Sequence, residues 1–335
     1  MHAPPTRRTA LSAGSVVLAF MATAGCANAP STLDPHGPGA HRIATLWWFM
    51  FAVSAAVVLV VGALLLVGAV RRGRRGGPGE EPRWAHALMF GGGVAFPVII
   101  LTALWIWTLR DIAALSQPAG PDAVTIDVIG HQWWWEVRYP REGIVTANDI
   151  HVPVGQRVRL RLTTQDVLHS FWVPQLTGKT DLIAGRTNTM TIEADRPGVY
   201  RGQCAEFCGL QHAQMIFYVV AEAPPDYQAW VARETATPTS PTDPMALEGE
   251  QLFERAPCAA CHTIRGTSAR GTLGPDLSDF GARLSIGAGT VPNTRGNLGG
   301  WIVDSQSLKP GNLMPPIQLD PRELQALIAY LESTR

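Results

Sequence analysis

The sequence predicts a multidomain membrane protein in which a hairpin of two transmembrane helices carries an all-β sandwich and a small all-α domain outside the lipid. Three observations predict it: two long uncharged stretches near the N-terminus, a switch to period-two alternation after Pro121, and a return to helical patterning beyond a proline-rich segment. The 335 residues allow about two soluble domains once the spans are set aside. With 27 basic against 27 acidic side chains, the chain lacks the cationic field of a nucleic-acid binder, so no nucleic-acid partner is expected. Only 16% of residues are charged, which suits a chain partly solvated by lipid.

Residues 1–25 read as an export signal: Arg7 and Arg8, then an uncharged run to Gly25. Small residues before Cys26 look like a bacterial lipoprotein signal, although Thr23 stands where leucine is usual. Two outcomes stay open for Cys26, lipidation as the first mature residue or loss with an ordinary signal peptide. Residues 43–70 and 84–109 contain no Asp, Glu, Lys or Arg, and a bilayer core needs only about 20 helical residues. Pro97 and the triplet Gly91 to Gly93 in the second stretch are tolerated in spans whose neighbours satisfy the backbone. Arg71, Arg72, Arg74 and Arg75 between the spans mark the cytoplasmic side. Everything after Arg110 is therefore expected to be extracytoplasmic, on the face of a bacterial cell membrane crossed twice.

Over 121–222, Val124, Ile126 and Val128 alternate with polar residues, as do Val158, Leu160 and Leu162 with Arg157, Arg159 and Arg161. Met190 and Ile192 continue the pattern, and Ile216 to Val220 reads as a central strand. Prolines and glycines recur at turn spacing, so a sandwich is predicted. It carries His169 and, farther on, Cys204, Glu206, Cys208, His212 and Met215. This soft sulfur and nitrogen donor set favours copper, as in cupredoxin-like sandwiches, and a second cysteine on the loop suggests two copper ions. The competing reading is a Cys204–Cys208 disulfide in an oxidising compartment, which leaves His169, His212 and Met215 unexplained.

Residues 223–244 are proline-rich and include Thr235-Ala-Thr-Pro-Thr-Ser-Pro-Thr, the composition of a semi-extended linker with a short helix around Tyr227 to Val231. A flexible linker of this kind gives an effective concentration on the order of millimolar, which predicts a modest, fast-exchanging contact between the domains it joins. In 245–335, Cys258-Ala-Ala-Cys261-His262 is the attachment string for c-type heme. Gly274-Pro-Asp-Leu, a helix around Leu298 to Asp304, Lys309-Pro-Gly-Asn-Leu-Met314-Pro-Pro and a final helix from Pro321 to Glu332 complete the outline. A redox dithiol or half a zinc site is the alternative for the cysteines, and neither predicts those later landmarks.

The run Cys204-Ala-Glu-Phe-Cys208-Gly-Leu-Gln-His212-Ala-Gln-Met215, with Asp166-Val-Leu-His169-Ser-Phe-Trp-Val-Pro and Gly130-His-Gln-Trp133-Trp-Trp-Glu, resembles subunit II of the heme–copper cytochrome c oxidases. The resemblance implies a cupredoxin-like domain with a dinuclear copper centre, CuA. Its ligands would be the Cys204 and Cys208 sulfurs, ring nitrogens of His169 and His212, the Met215 sulfur and the Glu206 carbonyl. It implies Trp133 as the surface residue through which electrons reach CuA, and the Glu206 side chain as a magnesium ligand shared with subunit I. Trp134 stands where tyrosine is common and Ala184 where proline is usual. Glu80 and Glu81 align loosely with an acidic proton-channel position and read more simply as a solvated pair.

The C-terminal region resembles a small cytochrome c domain, which makes Cys258 and Cys261 the thioether links, His262 the proximal ligand and Met314 the sixth ligand. Fusion of the two resembles subunit II of caa3-type oxidases, an electron-transfer subunit feeding subunit I, where oxygen is reduced to water. The implied partners are subunit I, other oxidase subunits and an upstream cytochrome c or cytochrome bc complex. A CuA-bearing nitric oxide reductase subunit would share the copper ligands. A copper-delivery or thiol–disulfide assembly factor would share only the paired cysteines. A quinol oxidase subunit would lack the copper ligands altogether.

Overall fold

A computed structural model describes residues 30–71 and 83–334. Cys26, the signal segment, Arg72, Arg74, Arg75, Glu80 and Glu81 lie outside the described residues. Helix α1 spans Pro38–Arg71. Helix α2 runs through Arg83–Phe90, a wide π turn at Gly91–Ala95, and Phe96–Leu115. The glycine triplet sits in that π turn, where the absence of side chains lets the helix loosen without breaking. Both helices are long and apolar enough to cross a membrane. They outrun the predicted stretches because charged residues at the outer ends pair with each other: Arg42 bonds Asp111 at 3.1 Å. Farther in, Phe49 meets Trp107, so the helices form an antiparallel hairpin.

The chain entering α1 is fastened to the sandwich. His36 N donates to Gln175 O, Ala40 N to Leu176 O, and Asp195 N to His36 O. The approach is so close that a Cβ on Gly37 would stand 2.3 Å from Glu193 O, which excludes any larger residue. The chain leaving α2 is gripped by two strand arginines. Arg157 donates to Gln117 O, and Arg159 donates to Ala119 O and Gly120 O. Their alternation with Val158 and Leu160 thus serves both faces of the strand.

Ten strands make two five-stranded sheets. They are β1 (Thr125–His131), β2 (Trp134–Tyr139), β3 (Ile144–Ala147), β4 (Asp149–Pro153), β5 (Val158–Thr164), β6 (His169–Trp172), β7 (Thr180–Leu182), β8 (Asn188–Ile192), β9 (Gly198–Cys204) and β10 (Ile216–Glu222). One sheet has the order β3-β2-β1-β5-β8 and the other β4-β10-β9-β6-β7. The β1/β5 and β4/β10 pairs are parallel and the rest antiparallel. Between the sheets, Trp135 is fully buried and meets Phe171 and Phe217 edge-on at 6.0 and 5.0 Å. Such T-shaped contacts add to the burial of three large rings and fix the sheets' spacing. β10, flanked by β4 and β9, buries Phe217, Val219 and Ala221 in alternation.

Much of the segment read as a linker is helix. α3 (Pro224–Thr235) lays Tyr227 and Trp230 into the sandwich core, with Trp230 stacked on His151. Only residues 236–243 join the domains without helix. The aromatic pair, masked among prolines, overrides the linker composition because burying two large rings outweighs the entropy of ordering one short helix.

The C-terminal domain has α4 (Pro244–Arg255), a single turn at Cys258–Cys261, a short hairpin of β11 (Ser285–Ile286) and β12 (Val291–Pro292), α5 (Arg295–Leu308) and α6 (Pro321–Ser333). The side chain of Asp243 caps α4, and Asp320 with Glu323 forms a capping box on α6. Phe253, Leu298, Ile302, Leu327, Ile328 and Leu331 fill its core. This domain is seated on the sandwich rather than swinging free. Ile216 N donates to Ala288 O at 3.0 Å, Leu284 N to Asp149 Oδ2 at 2.8 Å, and Thr146 Oγ1 to Asp279 Oδ2. Arg265 bonds the carbonyl and carboxylate of Glu234 at the end of α3. The expectation of a modest, fast-exchanging contact therefore gives way to a built interface, since buried polar groups on both sides find partners across it.

Asp149 is one of those groups, buried, with Oδ1 lacking a partner among the described residues. Burial pushes its carboxyl up to about 6, against the Leu284 amide bond and the nearby Arg283 charge. A carboxyl raised in the fold favours the folded state at low pH, and that advantage fades as pH climbs from about 4 through about 6. Asp149→Asn should therefore stabilise the solubilised protein by up to about 3 kcal/mol above pH 7 and leave it unchanged near pH 4. Thermal unfolding followed by circular dichroism across that range checks this, and an equal effect at both ends would be the contrary result.

Candidate metal centre and heme site

β9 ends at Cys204 and β10 begins at Ile216, and the loop between them is closed at its base where Cys204 N donates to Met215 O at 2.9 Å. The closure turns the loop's donors inward. Cys204 Sγ lies 3.8 Å from Cys208 Sγ, too far for a disulfide and suited to two sulfurs flanking metal. His169 Nδ1 is 3.9 Å from Cys204 Sγ, His212 Nδ1 is 3.6 Å from Cys208 Sγ, and Met215 Sδ is 3.8 Å from Cys208 Sγ. Glu206 contributes its carbonyl, 3.2 Å from Cys204 Sγ. All six sequence-predicted donors are thus brought together around a buried thiol pair. At this position the structure holds two free thiols rather than the disulfide of the competing reading.

Around that pair the protons are arranged for a cation. The hydrogen bond shared by the two thiols, with His169 assisting, holds Cys204 well below the usual thiol range, while the proton that remains is correspondingly hard to take from Cys208. A bound cation would take that proton's place. Burial opposes charge on His169, but its bonds to Cys204 and Asp166 outweigh burial and raise it. Asp166 Oδ1 lies 2.8 Å from His169 Nε2 and so directs Nδ1 toward the sulfurs. The same carboxylate accepts the Gln132 amide at 2.7 Å, tying the β1–β2 turn to the copper-type loop.

Trp133 sits on that turn. Its Nε1 donates to Cys208 O at 3.0 Å, beside Gln132 Nε2 on the same oxygen at 2.8 Å. The resemblance implies Trp133 at the surface, but it is only 9% exposed and belongs to the sandwich core, while its carbonyl accepts from Lys309 Nζ. Glu206 points outward, and its carboxylate pairs with Lys179 at 3.2 Å.

In the second domain, the Cys258–Cys261 turn presents both cysteines as free, partly exposed thiols. His262 Nδ1 donates to Pro275 O at 2.8 Å, which leaves Nε2 as the free ligand atom. Burial lowers this imidazole, keeping it neutral as iron ligation requires. A Cβ on Gly274 would stand 2.5 Å from His262 Cε1, so Gly274 makes room for the histidine ring directly. Met314 is held in its loop by main-chain bonds. Its N donates to Asn312 Oδ1, and its O accepts from Ser305 and Gln306. The donor chemistry and the glycine beside His262 fit a covalently attached heme.

Residues 142–223 match the family model described as cytochrome c oxidase subunit II, periplasmic domain, and residues 246–335 match that of cytochrome c. A cytochrome c oxidase subunit 2 from Alkalihalophilus pseudofirmus is 40% identical over 314 residues, covering 91% of each chain. The chain belongs to the cytochrome c oxidase subunit 2 family. The subunit 2 from Bacillus sp. PS3 is 35% identical over 258 residues, 71% of this chain and 72% of that one. The crystal structure of the periplasmic domain of Bradyrhizobium japonicum oxidase subunit II covers 35% of this chain and 95% of its own at 29% identity and a TM-score of 0.33.

This subunit 2 is accordingly an electron-transfer subunit of an oxidase complex, anchored by two membrane helices, with one domain for copper and one for heme. The nitric oxide reductase and assembly-factor readings are not favoured, because the similarity runs through both domains of named oxidase subunits. Neither Asp166 nor Gln132 is of a ligand type that the sequence marks out, and the three-residue spacing of Asp166 from His169 is the one signal of its role.

Asp166→Ala should lower copper affinity of the subunit about 10- to 100-fold, the usual cost of losing a partner that orients a ligating histidine. Competition with a copper chelator measures it, and unchanged affinity would mean His169 is aimed by something else.

Proposed function

We propose that this chain is subunit II of a caa3-type oxidase, carrying electrons from heme c to CuA and on to subunit I. His262 and Met314 would ligate the heme iron, with Cys258 and Cys261 linking the porphyrin. His169, Cys204, the Glu206 carbonyl, Cys208, His212 and Met215 would hold two copper ions. These groups supply reversible one-electron chemistry when bound. The observation that carries the reading is the facing pair of thiols at 3.8 Å with a histidine beside each sulfur, directly beneath Trp133.

Trp133 would be the contact through which each electron enters the copper loop, since its indole nitrogen bonds a ligand residue's own carbonyl. His262 would hold the donor metal, and Cys204 and Cys208 the acceptor metals, of a one-electron transfer that makes and breaks no bond. The buried Trp135, Phe171 and Phe217 exclude water behind the loop, which limits the reorganisation that each transfer demands. Both external domains would lie on the extracytoplasmic face, where an upstream cytochrome c or cytochrome bc complex supplies electrons. Glu206, half-exposed and paired with Lys179, would exchange that partner for a magnesium ion shared with subunit I.

Metal and heme analysis of the purified oxidase should give two coppers and one covalent heme in this chain. Its copper EPR should be that of a delocalised mixed-valence pair. A single copper with ordinary blue-copper hyperfine lines would overturn the dinuclear assignment.

A further inference from the structure

Lys309 begins the loop that ends at Met314, and its side chain is directed away from its own domain. It is 2% exposed, and its Nζ lies 3.1 Å from Trp133 O, 2.9 Å from Gln214 O and 2.7 Å from Gly287 O. The first two carbonyls belong to the sandwich and the third to the tip of the β11–β12 hairpin. An ammonium has three donors, and each finds one acceptor. A buried lysine is costly unless its donors are matched, and here they are matched only while the two domains are in register.

The surroundings repeat the pattern. The next residue's carbonyl, Pro310 O, accepts from Gln211 Nε2 of the copper loop. Ile216, which follows Met215, donates its amide to Ala288 O at the hairpin tip. Toward the heme side, Asn312 Nδ2 donates 2.8 Å to Lys309 O while Asn312 Oδ1 accepts from Met314 N. Four hydrogen bonds, linked through the covalent bonds of Asn312, Lys309 and Trp133, therefore join Met314 to Cys208: Met314 to Asn312, Asn312 to Lys309, Lys309 to Trp133, and Trp133 to Cys208.

We propose that Lys309 is a positioning residue that bolts the heme domain onto Trp133, fixing the geometry of transfer and covering the copper loop's outer face against direct donors. The consequence for electron flow rests on the function proposed above, whereas the bolt itself does not. Lys309→Met keeps the aliphatic stem and removes all three donors.

The test uses the complete oxidase and two readouts. Hydrogen exchange should rise at least fivefold in peptides covering 214–218 and 284–290, which contain the seam-crossing amides of Ile216 and Leu284, and stay unchanged in α6. Heme-to-copper transfer after rapid photoreduction should slow at least tenfold, with the heme absorption and copper EPR unaltered. A hydrophilic complex such as hexaammineruthenium(II) should also gain direct access to the copper centre. Unchanged seam exchange overturns the proposal, as does an equal rise through α6, which would make Lys309 an ordinary stabilising residue. Seam opening with an unaltered transfer rate overturns it as well. Should Lys309→Met fail to assemble, Lys309→Gln is judged by the same criteria with a smaller rise. If the unmodified oxidase lacks the heme or copper signals, the proposed function fails, while the exchange result still decides the bolt.

Discussion

The backbone bond from Cys204 to Met215 is the constraint on which the rest depends. It joins the ends of two adjacent antiparallel strands, so the loop between them inherits the rigidity of the sheet. Without that closure, Cys208 and His212 would sit on a flexible connection, and their convergence with His169 would carry a large entropic cost. With it, only His169 must be supplied from elsewhere, and β6 lies next to β9 in the same sheet. A metal arriving at this loop finds its donors already gathered, as preorganised sites require. The Trp135, Phe171 and Phe217 cluster packs behind the loop and resists its collapse.

What the sequence made legible follows from the range of each interaction. Alternation exposed β1, β5 and β8, because each buries one face and the period is a local property. The convergence of the sulfur and nitrogen donors was legible because loop and spacing coincide. The Cys258–His262 turn was legible because both thiols and the histidine lie within a single short stretch. Lys309 was not, since its partners are main-chain carbonyls, which every residue possesses and no sequence distinguishes. Asp149 and Asp279 were illegible for a related reason. Each looks like a surface acid until the opposite domain covers it.

The linker is the instructive failure. Its prolines and threonines describe residues 236–243 well, and a flexible chain was a fair inference from them. Tyr227 and Trp230 lie earlier in the same stretch, and their helix returns the chain to the sandwich before releasing it. The remaining connection is short, and the far side of the heme domain is tied down at Glu234 and Arg265. Composition averaged over the whole stretch hid the boundary between a docked helix and a true connector.

The fastening of Gly37 against Glu193 has a reach beyond its own few atoms. Because the sandwich grips the chain at the very entrance of α1, the angular phase of that helix is set by the β domain. Adding one residue between Gly37 and Ile43 would turn everything below it by about 100°, parting Arg42 from Asp111 and carrying Phe49 away from Trp107. The altitude and heading of the redox loops above the bilayer are thus encoded in a junction that touches no metal, and its length is as fixed as any ligand spacing.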